Sequence, residues 1–323
     1  MEFALTAEQR ELASTVRSLL DKRADARVAT YDEALWTTLC EQIGVAALGI
    51  PEEYDGAGFS LFESLVALEE VGRSLVPCPL LSSLVTSEAL LAGADEDAKA
   101  RLLPRIAMGE VAAFAVGTDA VDVVDGDLAT VLVVATDDGL YEVDPDRVER
   151  TWTPTMDQTI RLATVRGSLD GATRIGDGPA ARARAELVGA VGCSALASGL
   201  AARALDMTVS YSKERVQFGR PIGSFQALKH RMADMLVLTE MCRSAAWAAS
   251  YAVSTHADDA DQVTHVAKAY CSDAVAHLAG ETVQLHGGIA ITWEHDAHLV
   301  FKRAHALGQL FGSARDHRAA VAL

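Results

Sequence analysis

Apolar residues in the first hundred positions recur at helical spacing, with turn signals between them. Thr6 and Gln9 form a potential capping box ahead of an amphipathic stripe made of Leu12, Val16, Leu19 and Leu20. Residues 49–58 contain one proline and three glycines, which predicts a loop. Ser60 then opens another amphipathic helix through Leu61, Leu65, Leu68 and Val71. These patterns predict a helical N-terminal domain over residues 1–110.

The pattern changes at residue 111, where short β-type runs replace the helical spacing. Residues 111–116, 130–135 and 160–165 are such runs, bounded by Asp and Gly, and they predict a small β domain over residues 111–177. Residues 178–323 return to helical spacing in four long segments, one of them near 225–254. The order helix, sheet, helix is typical of an α+β fold, mostly α, with a terminal helical bundle.

Composition argues against nucleic-acid and membrane partners. Lys and Arg number 28 against 45 Asp and Glu, a formal net charge of -17, so the surface repels phosphate backbones. The longest uncharged stretch, residues 187–202, is shorter than the roughly 20 apolar residues of a membrane span, and it predicts a buried core helix.

The cysteines and the N-terminal residues predict a cytoplasmic protein. The five cysteines stand singly, without C-x-x-C spacing, as is typical of reduced thiols in a cytosolic chain. The first six residues lack the basic and apolar blocks of a signal peptide. No targeting segment is therefore expected.

One segment carries the most specific signal in the chain. Residues 215–226 read R-V-Q-F-G-R-P-I-G-S-F-Q, with Lys229 and M-A-D-M at 232–235 following. This is similar to the R-x-Q-F-G-x-P-I-x-x-F-Q-x-x-K-x-x-x-A-D-M signature of acyl-CoA dehydrogenases. Three shorter pieces fit the same family in the right order: residues 49–54, residues 103–104 with 109–110, and Q-L-H-G-G at 284–288. The chain thus resembles this family over nearly its whole length, least between 111 and 176.

The resemblance implies a fold, a cofactor and a set of contacts. The family fold has an N-terminal helical domain, a small middle antiparallel β domain and a C-terminal four-helix bundle that helps to build a tetramer. Its cofactor is FAD and its substrate is an acyl-CoA, whose β-hydride passes to the flavin as an α-proton is removed. By resemblance, FAD bound mainly by the neighbouring subunit is contacted by Arg215, Gln217, Phe218, Gln226, Gln284, Leu285, His286, Gly287 and Gly288.

The residue chemistry at these positions agrees with that implication. Arg215 offers a planar, permanently charged fork suited to a pyrophosphate, and Phe218 offers an apolar ring face. Gly287 and Gly288 let backbone N–H groups approach a phosphate or an adenine without interference from a Cβ. The alternative is a plain turn between two helices with a solvated Arg215, and the length of the matching string argues against it.

The positions of the catalytic base are vacant by the same comparison. The family places a glutamate at one of two positions, which correspond here to Gly189 and Phe311. The expectation is that this chain has no catalytic residue of its own. Glu186 lies nearly one helical turn from Gly189 and is the nearest substitute, although a turn moves a side chain by about 5 Å along the axis.

The leading interpretation is the base-less β-subunit of an α2β2 acyl-CoA dehydrogenase of the steroid-catabolic type. Such subunits resemble this chain in their shortened middle domain, which here lacks the expected E-P-x-A-G-S-D and tryptophan-containing flavin-binding strands. The α-partner supplies the base and most of the flavin pocket, and substrates are bulky, notably steroid-derived, CoA thioesters. Electron-transferring flavoprotein is the usual acceptor.

Two alternatives stay open. The chain could be a self-sufficient homotetrameric dehydrogenase that uses a displaced carboxylate, such as Glu186 or Glu294. It could also be a non-enzymatic scaffold that binds acyl-CoA or a flavoprotein. A metal site is not expected: Glu294, His295, Asp296, His298 and His305 could ligate an ion, but they fall in a helical segment that is structural in the resembling family.

Overall fold

The computed structural model describes residues 4–27 and 31–321. The chain divides into two compact units, one formed by residues 1–68 and 77–189 and the other by residues 69–76 and 190–323. Residues 1–3 lie outside the described residues, and they are part of the N-terminal segment for which no signal peptide was predicted. Residues 322–323 of the predicted C-terminal domain do so as well. The division into three domains with limits at 110 and 177 stays a prediction.

Helices make up the N-terminal part, as predicted. They are α1 (Ala7–Arg23), α2 (Glu33–Ile43), α3 (Leu61–Ser74), α4 (Leu80–Gly93) and α5 (Glu96–Ala107). The capping box is confirmed: Thr6 Oγ1 accepts from the Gln9 backbone N–H at 3.2 Å, and Gln9 Oε1 accepts from the Thr6 N–H at 2.9 Å. The predicted loop at 49–58 holds one turn of 3-10 helix, Glu52–Tyr54.

Helix α4 forms the centre of the first unit, because it is buried along most of its length although it carries several polar residues. Ser82 Oγ donates to Asp125 Oδ2 at 2.7 Å. Arg184 donates twice to Glu88 Oε2, at 2.8 and 2.5 Å. Buried polar groups are tolerated when each has a partner, so these pairs fix how α4 packs in the first unit.

The middle part forms two small sheets. Their strands are β1 (Ala112–Val116), β2 (Asp119–Val124), β3 (Val131–Thr136), β4 (Gly139–Val143), β5 (Glu149–Thr153), β6 (Leu162–Arg166) and β7 (Thr173–Gly176). One sheet has the order β1-β3-β4-β7 and the other β2-β6-β5. The strands of both sheets pair antiparallel as predicted, except that β1 and β3 are parallel, with Ala112 opposite Val131. The reason is that β2 leaves β1 to pair with β6 in the other sheet.

The C-terminal part begins with a long helix and a tight hairpin. Its elements are α6 (Gly178–Glu214), β8 (Val216–Gln217), β9 (Arg220–Pro221), α7 (Gln226–Ser254), α8 (Ala260–His286), α9 (Ala297–Leu307) and α10 (Ala314–Ala320). The prediction of four long segments was wrong in one respect. Three helices are long, with 37, 29 and 27 residues, while α9 has 11 and α10 has 7.

Helix α6 is long and apolar enough to span a membrane by length and composition, but 83% of its apolar window is buried inside the protein. The stretch at 187–202 that predicted a core helix belongs to it. A mostly buried helix of this kind is the core of its fold, so the predicted core-helix interpretation is confirmed.

The second unit packs the end of α3 closely against α6. A Cβ at Gly199 would overlap the backbone oxygen of Glu69, so only glycine permits this approach. The Glu69 carboxylate accepts from Trp247 Nε1 at 2.8 Å and from Ser198 Oγ at 2.9 Å. Burial raises the pKa of this carboxyl, and the two donors offset part of that rise.

Candidate functional site

The R-x-Q-F-G motif forms a two-residue hairpin that projects from the second unit. Strands β8 and β9 pair Val216 with Pro221 and Gln217 with Arg220. The tip residues Phe218 and Gly219 have φ angles of 52° and 77°. Two positive φ angles in a two-residue loop are the pattern of a type I′ turn, which favours Asn and Gly.

Phe218 is the residue that conflicts with this turn. A bulky side chain rarely adopts a positive φ, and strained backbone of this kind concentrates at functional sites. The ring is also 92% exposed, the highest value among the large apolar side chains described. An aromatic ring that is both strained and solvated in the free chain is consistent with a binding surface that something else covers.

Charged and aromatic side chains surround the hairpin tip. The Phe218 and Phe225 rings meet edge to face with centroids 6.2 Å apart, and the Arg220 guanidinium lies 4.0 Å from the centre of the Phe225 ring. Arg215 and Gln226 are exposed on either side of the hairpin. Among the described residues, no carboxylate pairs with the Arg215 guanidinium. An unpaired cation in so acidic a chain suits an anionic ligand.

The predicted Q-x-x-G-G loop divides into exposed and buried members. Gln284, Gly287 and Gly288 are exposed, whereas Leu285 and His286 are only 6% and 3% exposed. Direct side-chain contact with a ligand from the buried pair is therefore disfavoured, because the C-terminal turn of α8 directs them into the core. A contact of Leu285 and His286 with FAD stays a prediction.

Gly287 and Gly288 leave open space in front of the backbone. Gly287 has φ 65° and ψ -143°, a conformation that only glycine adopts readily. A Cβ built at either glycine would meet no atom within 4 Å apart from those of its immediate surroundings along the chain. The exposed cation, the aromatic ring and this open backbone suit the pyrophosphate and ring systems of a dinucleotide, so the residues present fit FAD.

Tyr211 brings the hairpin and the glycine loop together. Its backbone oxygen accepts from the Arg215 N–H at 2.9 Å, and its ring lies 4.5 Å from the His286 ring, centroid to centroid. Sequence reasoning missed Tyr211, and the available signal was its place one helical turn before Arg215.

Neither of the two positions predicted for the catalytic base holds a carboxylate. Gly189 is buried within α6, and Phe311 is a half-buried residue with φ 53°. Glu186 is exposed and accepts from Arg182 Nε at 2.7 Å, so its carboxylate is solvated and paired rather than desolvated. Glu294 is exposed as well. A general base that acts on a carbon acid needs a desolvated position within reach of the substrate. Both glutamates are exposed to solvent instead.

The segment 294–305 shows no convergence on an ion. His295 contacts the His286 ring, His298 lies edge-on to Trp293, and the His305 ring packs on Phe301. Over residues 4–27 and 31–321, no group of three or more His, Cys, Asp or Glu is arranged to hold a metal.

The Trp152 side chain in the middle part does not enclose a binding pocket for a ring. It is 45% exposed on β5, and the Arg161 guanidinium lies 5.2 Å from its ring centre. Arg161 is in turn held by Asp127 at 2.5–3.0 Å. A pocket beside Trp152 and Arg161 is lined by Tyr31, Pro77, Pro154, Thr155, Asp157, Gln158 and Ile160.

Two models of known protein families match the chain, one in its N-terminal part and one in its C-terminal part. The acyl-CoA dehydrogenase N-terminal domain matches residues 6–110, and the acyl-CoA dehydrogenase C-terminal domain matches residues 177–322. The acyl-CoA dehydrogenase IpdE2 of Mycobacterium tuberculosis is 45% identical over 326 residues, which cover 96% of this chain and 94% of the relative. This chain therefore belongs to the acyl-CoA dehydrogenase family.

Solved structures agree with this assignment. A variant of the Tcur3481-Tcur3483 steroid ACAD is 28% identical with a TM-score of 0.86, covering 97% of this chain and 96% of that one. The ChsE4-ChsE5 complex of Mycobacterium tuberculosis has a TM-score of 0.88 at 23% identity, with 99% and 98% covered, and supports the fold. The predicted fold class, the oxidoreductase class acting on CoA thioesters and the cofactor FAD are confirmed by family membership.

Proposed function

We propose that this chain is the base-less subunit of a heteromeric FAD-dependent acyl-CoA dehydrogenase. It contributes part of the FAD contact and of the subunit interface. A partner α-type subunit holds most of the flavin and supplies the glutamate that removes the α-proton. FAD, when bound, accepts the hydride from the β-carbon of the CoA thioester.

The observation that carries the proposal is the exposed hairpin tip. Phe218 has a strained backbone and is 92% exposed, in the same hairpin as the unpaired Arg215. Strain and exposure of this kind would only destabilise a chain that acts alone in solution. Arg215 would hold the FAD pyrophosphate through charge-assisted hydrogen bonds, Phe218 would cover a ring face, and Gly287 and Gly288 would admit the ligand to the backbone.

The vacant base supports a division of labour between two chains. A glycine and a phenylalanine occupy the family positions, and Glu186 is tied to Arg182 in solvent. Proton abstraction next to a thioester requires a carboxylate of raised pKa in a dry pocket. Since the described residues offer no such group at these positions, a partner that keeps its glutamate would provide the base.

The outward face of α7 supports an assembly. Leu236, Val237 and Met241 are 49%, 61% and 53% exposed, and they recur at helical spacing. Apolar side chains grouped in this way are typical of protein–protein contacts. This face would lie in the interface with the partner or with a second copy of the chain in an α2β2 tetramer.

The substrate would be a bulky, steroid-derived CoA thioester. This proposal is supported by the similarity of the chain to a solved structure that is named a steroid ACAD and whose name, Tcur3481-Tcur3483, joins two components. Electron-transferring flavoprotein would be the acceptor, and the cytoplasm the location.

Substitution of the open glycine tests the FAD contact without disturbing the fold. Gly288→Ala places a methyl group where no atom lies within 4 Å apart from those of its immediate surroundings along the chain, so the stability of the chain should be unchanged. In the complex with a base-bearing partner, the methyl group would obstruct a ligand lying against the backbone, and FAD should dissociate faster. Gly280→Ala is the matched control, because it also meets open space but lies within α8.

Arg215→Ala in the same complex tests the cation. Each hydrogen bond to a charged group is worth roughly 1.5–3 kcal/mol, so its loss should raise the FAD dissociation constant by at least about tenfold. FAD retention that is unchanged in both the Gly288→Ala and the Arg215→Ala complexes would contradict the proposed contact.

A further inference from the structure

Three aromatic rings, here called the stack, lie together in segments that adjoin the proposed FAD contacts in sequence. Tyr211 and His286 are stacked, with centroids 4.5 Å apart and planes inclined by 28°. His295 completes the group: its ring is tilted against the His286 ring at 4.4 Å and lies edge-on to the Tyr211 ring at 5.9 Å, centroid to centroid. These residues come from the end of α6, the end of α8 and the loop before α9. The stack therefore joins three separate segments of the second unit.

His286 is the central member and is locked in one orientation. Its Nδ1–H donates to the Thr282 carbonyl oxygen at 2.7 Å, and its ring is 3% exposed. Burial is the main cause that lowers the pKa of His286, which keeps the ring neutral. One turn earlier, the hydroxyls of Thr208 on α6 and Thr282 on α8 lie 3.3 Å apart. The ends of these two helices are thus held together by polar as well as aromatic contacts.

Each residue of the stack is connected to a neighbouring segment, and two of these segments contain the proposed FAD contacts. The Tyr211 carbonyl oxygen accepts from the Arg215 N–H, and the Arg215 carbonyl oxygen accepts from the Ile222 N–H at 2.8 Å, which closes the base of the hairpin. On the other side, His286 directly precedes Gly287 and its glycine-only conformation. His295 Nδ1 accepts from the Ala297 N–H at 3.2 Å at the start of α9.

Packing of these helix ends does not by itself require three polar rings, because aliphatic side chains would also stabilise the contact. A leucine at 286 would fill a similar volume, but it would have no planar face for Tyr211 and no donor for the Thr282 carbonyl. Ring stacking fixes both distance and orientation, whereas aliphatic packing tolerates small rotations. Fixed orientation matters at a site where two segments must meet one ligand at once.

We infer that His286 is a positioning residue, which through its stack with Tyr211 sets the Arg215 hairpin and the Gly287–Gly288 backbone at the spacing that one FAD requires. This inference rests on the proposed FAD contact. It gives the buried histidine of the Q-L-H-G-G loop a role distinct from direct contact with the ligand.

Two substitutions separate the stack from the hydrogen bond. His286→Leu removes both, whereas His286→Phe keeps a ring for Tyr211 and loses the bond to Thr282. An aromatic pair is worth about 0.5–1.5 kcal/mol, so His286→Leu should raise the FAD release rate of the complex by about twofold to tenfold. His286→Phe should restore most of the retention. Val275→Ala, a fully buried position on the same helix outside the stack, controls for general loss of stability.

The measured quantities are the FAD release rate of the complex, followed by flavin fluorescence, and the thermal midpoint of each variant. The inference holds if His286→Leu speeds release, His286→Phe rescues it, and Val275→Ala lowers the midpoint without speeding release. It falls if release follows the thermal midpoint across all three variants, or if the two His286 variants release FAD alike.

A double-variant cycle distinguishes this inference from the proposed function. In the Arg215→Ala background, His286→Leu should speed FAD release by a smaller factor than it does with Arg215 present, because part of the effect of the stack passes through the placement of Arg215. Additive effects would overturn the positioning role while leaving the contact intact. Absence of any effect on FAD retention from both Arg215→Ala and Gly288→Ala would contradict the proposed function itself.

Discussion

The Nδ1 atoms of His265 and His317 lie 2.8 Å apart, and this contact joins α8 to α10. His317 Nε2–H donates to the Phe311 carbonyl oxygen at 2.8 Å, so in the neutral ring Nδ1 accepts the proton of His265 Nδ1–H. Lys268 holds the same loop through hydrogen bonds to the carbonyl oxygens of Leu307 and Gly312, at 2.9 and 3.0 Å. The segment at the vacant base position is therefore fixed from two sides.

This arrangement predicts a loss of stability in mild acid. Burial, followed by the charges of Lys268 and His265, lowers the pKa of His317, while the Phe311 carbonyl and Asp316 oppose that shift. A histidine whose pKa is depressed on folding contributes stability above the unfolded value of about 6.5, and that stability is lost as the pH falls below it. The thermal midpoint should drop between pH 7.5 and 5.5.

His317→Gln keeps a donor for the Phe311 carbonyl but does not titrate, so it should reduce the drop in thermal midpoint. His277→Gln, an exposed position on α8, is the control and should leave the drop unchanged. An equal drop in the protein and in the His317→Gln variant would show that the His265–His317 pair has no part in it.

Phe218→Asn should separate stability from function. Asparagine suits a positive φ in a type I′ turn, so the chain should gain about 1 kcal/mol in the free energy of unfolding. The same change removes the exposed ring and should weaken FAD retention in the complex. Val216→Thr, which alters an exposed residue away from the tip, serves as the control. If Phe218→Asn leaves FAD retention intact, the ring is not part of the contact.

The close approach of α3 and α6 predicts a large effect at one glycine. Gly199→Ala would force a methyl group into the Glu69 backbone oxygen, and overpacking of this kind typically costs about 1–3 kcal/mol. Gly280→Ala meets open space within α8 and should be neutral or stabilising. Urea unfolding of both variants measures the difference. Equal midpoints would mean that the two helices can separate without penalty.

Local sequence signals predicted the helices well because their causes are local. The Thr6 and Gln9 side chains cap α1 through bonds that span three residues, and Ser60 precedes α3 as expected. The parallel pairing of β1 with β3 was not predictable from local pattern. It depends on β2 joining a different sheet, which is decided by packing between distant residues.

The candidate site was predicted in part for a similar reason. The exposure of Arg215 and Phe218 follows from a motif that is contiguous in sequence. The burial of His286 and its contacts with Tyr211 and His295 arise only where the ends of α6 and α8 meet the loop before α9, and no spacing in the chain signals that meeting. The family motif therefore identified the segment but not which of its side chains face outward.

The exposed glutamates provide a test of the vacant base. Glu186→Gln and Glu294→Gln should each leave turnover of the complex within a few-fold, because neither side chain lies at a family base position. A true general base contributes roughly 10²–10⁴-fold, and glutamine keeps the size and hydrogen bonding of glutamate while being unable to accept the proton. Loss of flavin reduction with FAD still bound would place the base on this chain.

The flavin content of the chain purified alone, compared with that of its complex, tests the central claim most directly. The account predicts a nearly colourless or poorly soluble chain, and one FAD per heterodimer once it is co-expressed with an acyl-CoA dehydrogenase subunit that keeps its glutamate. Stoichiometric FAD in a homotetramer of this chain, reduced by an acyl-CoA without any partner, would contradict it.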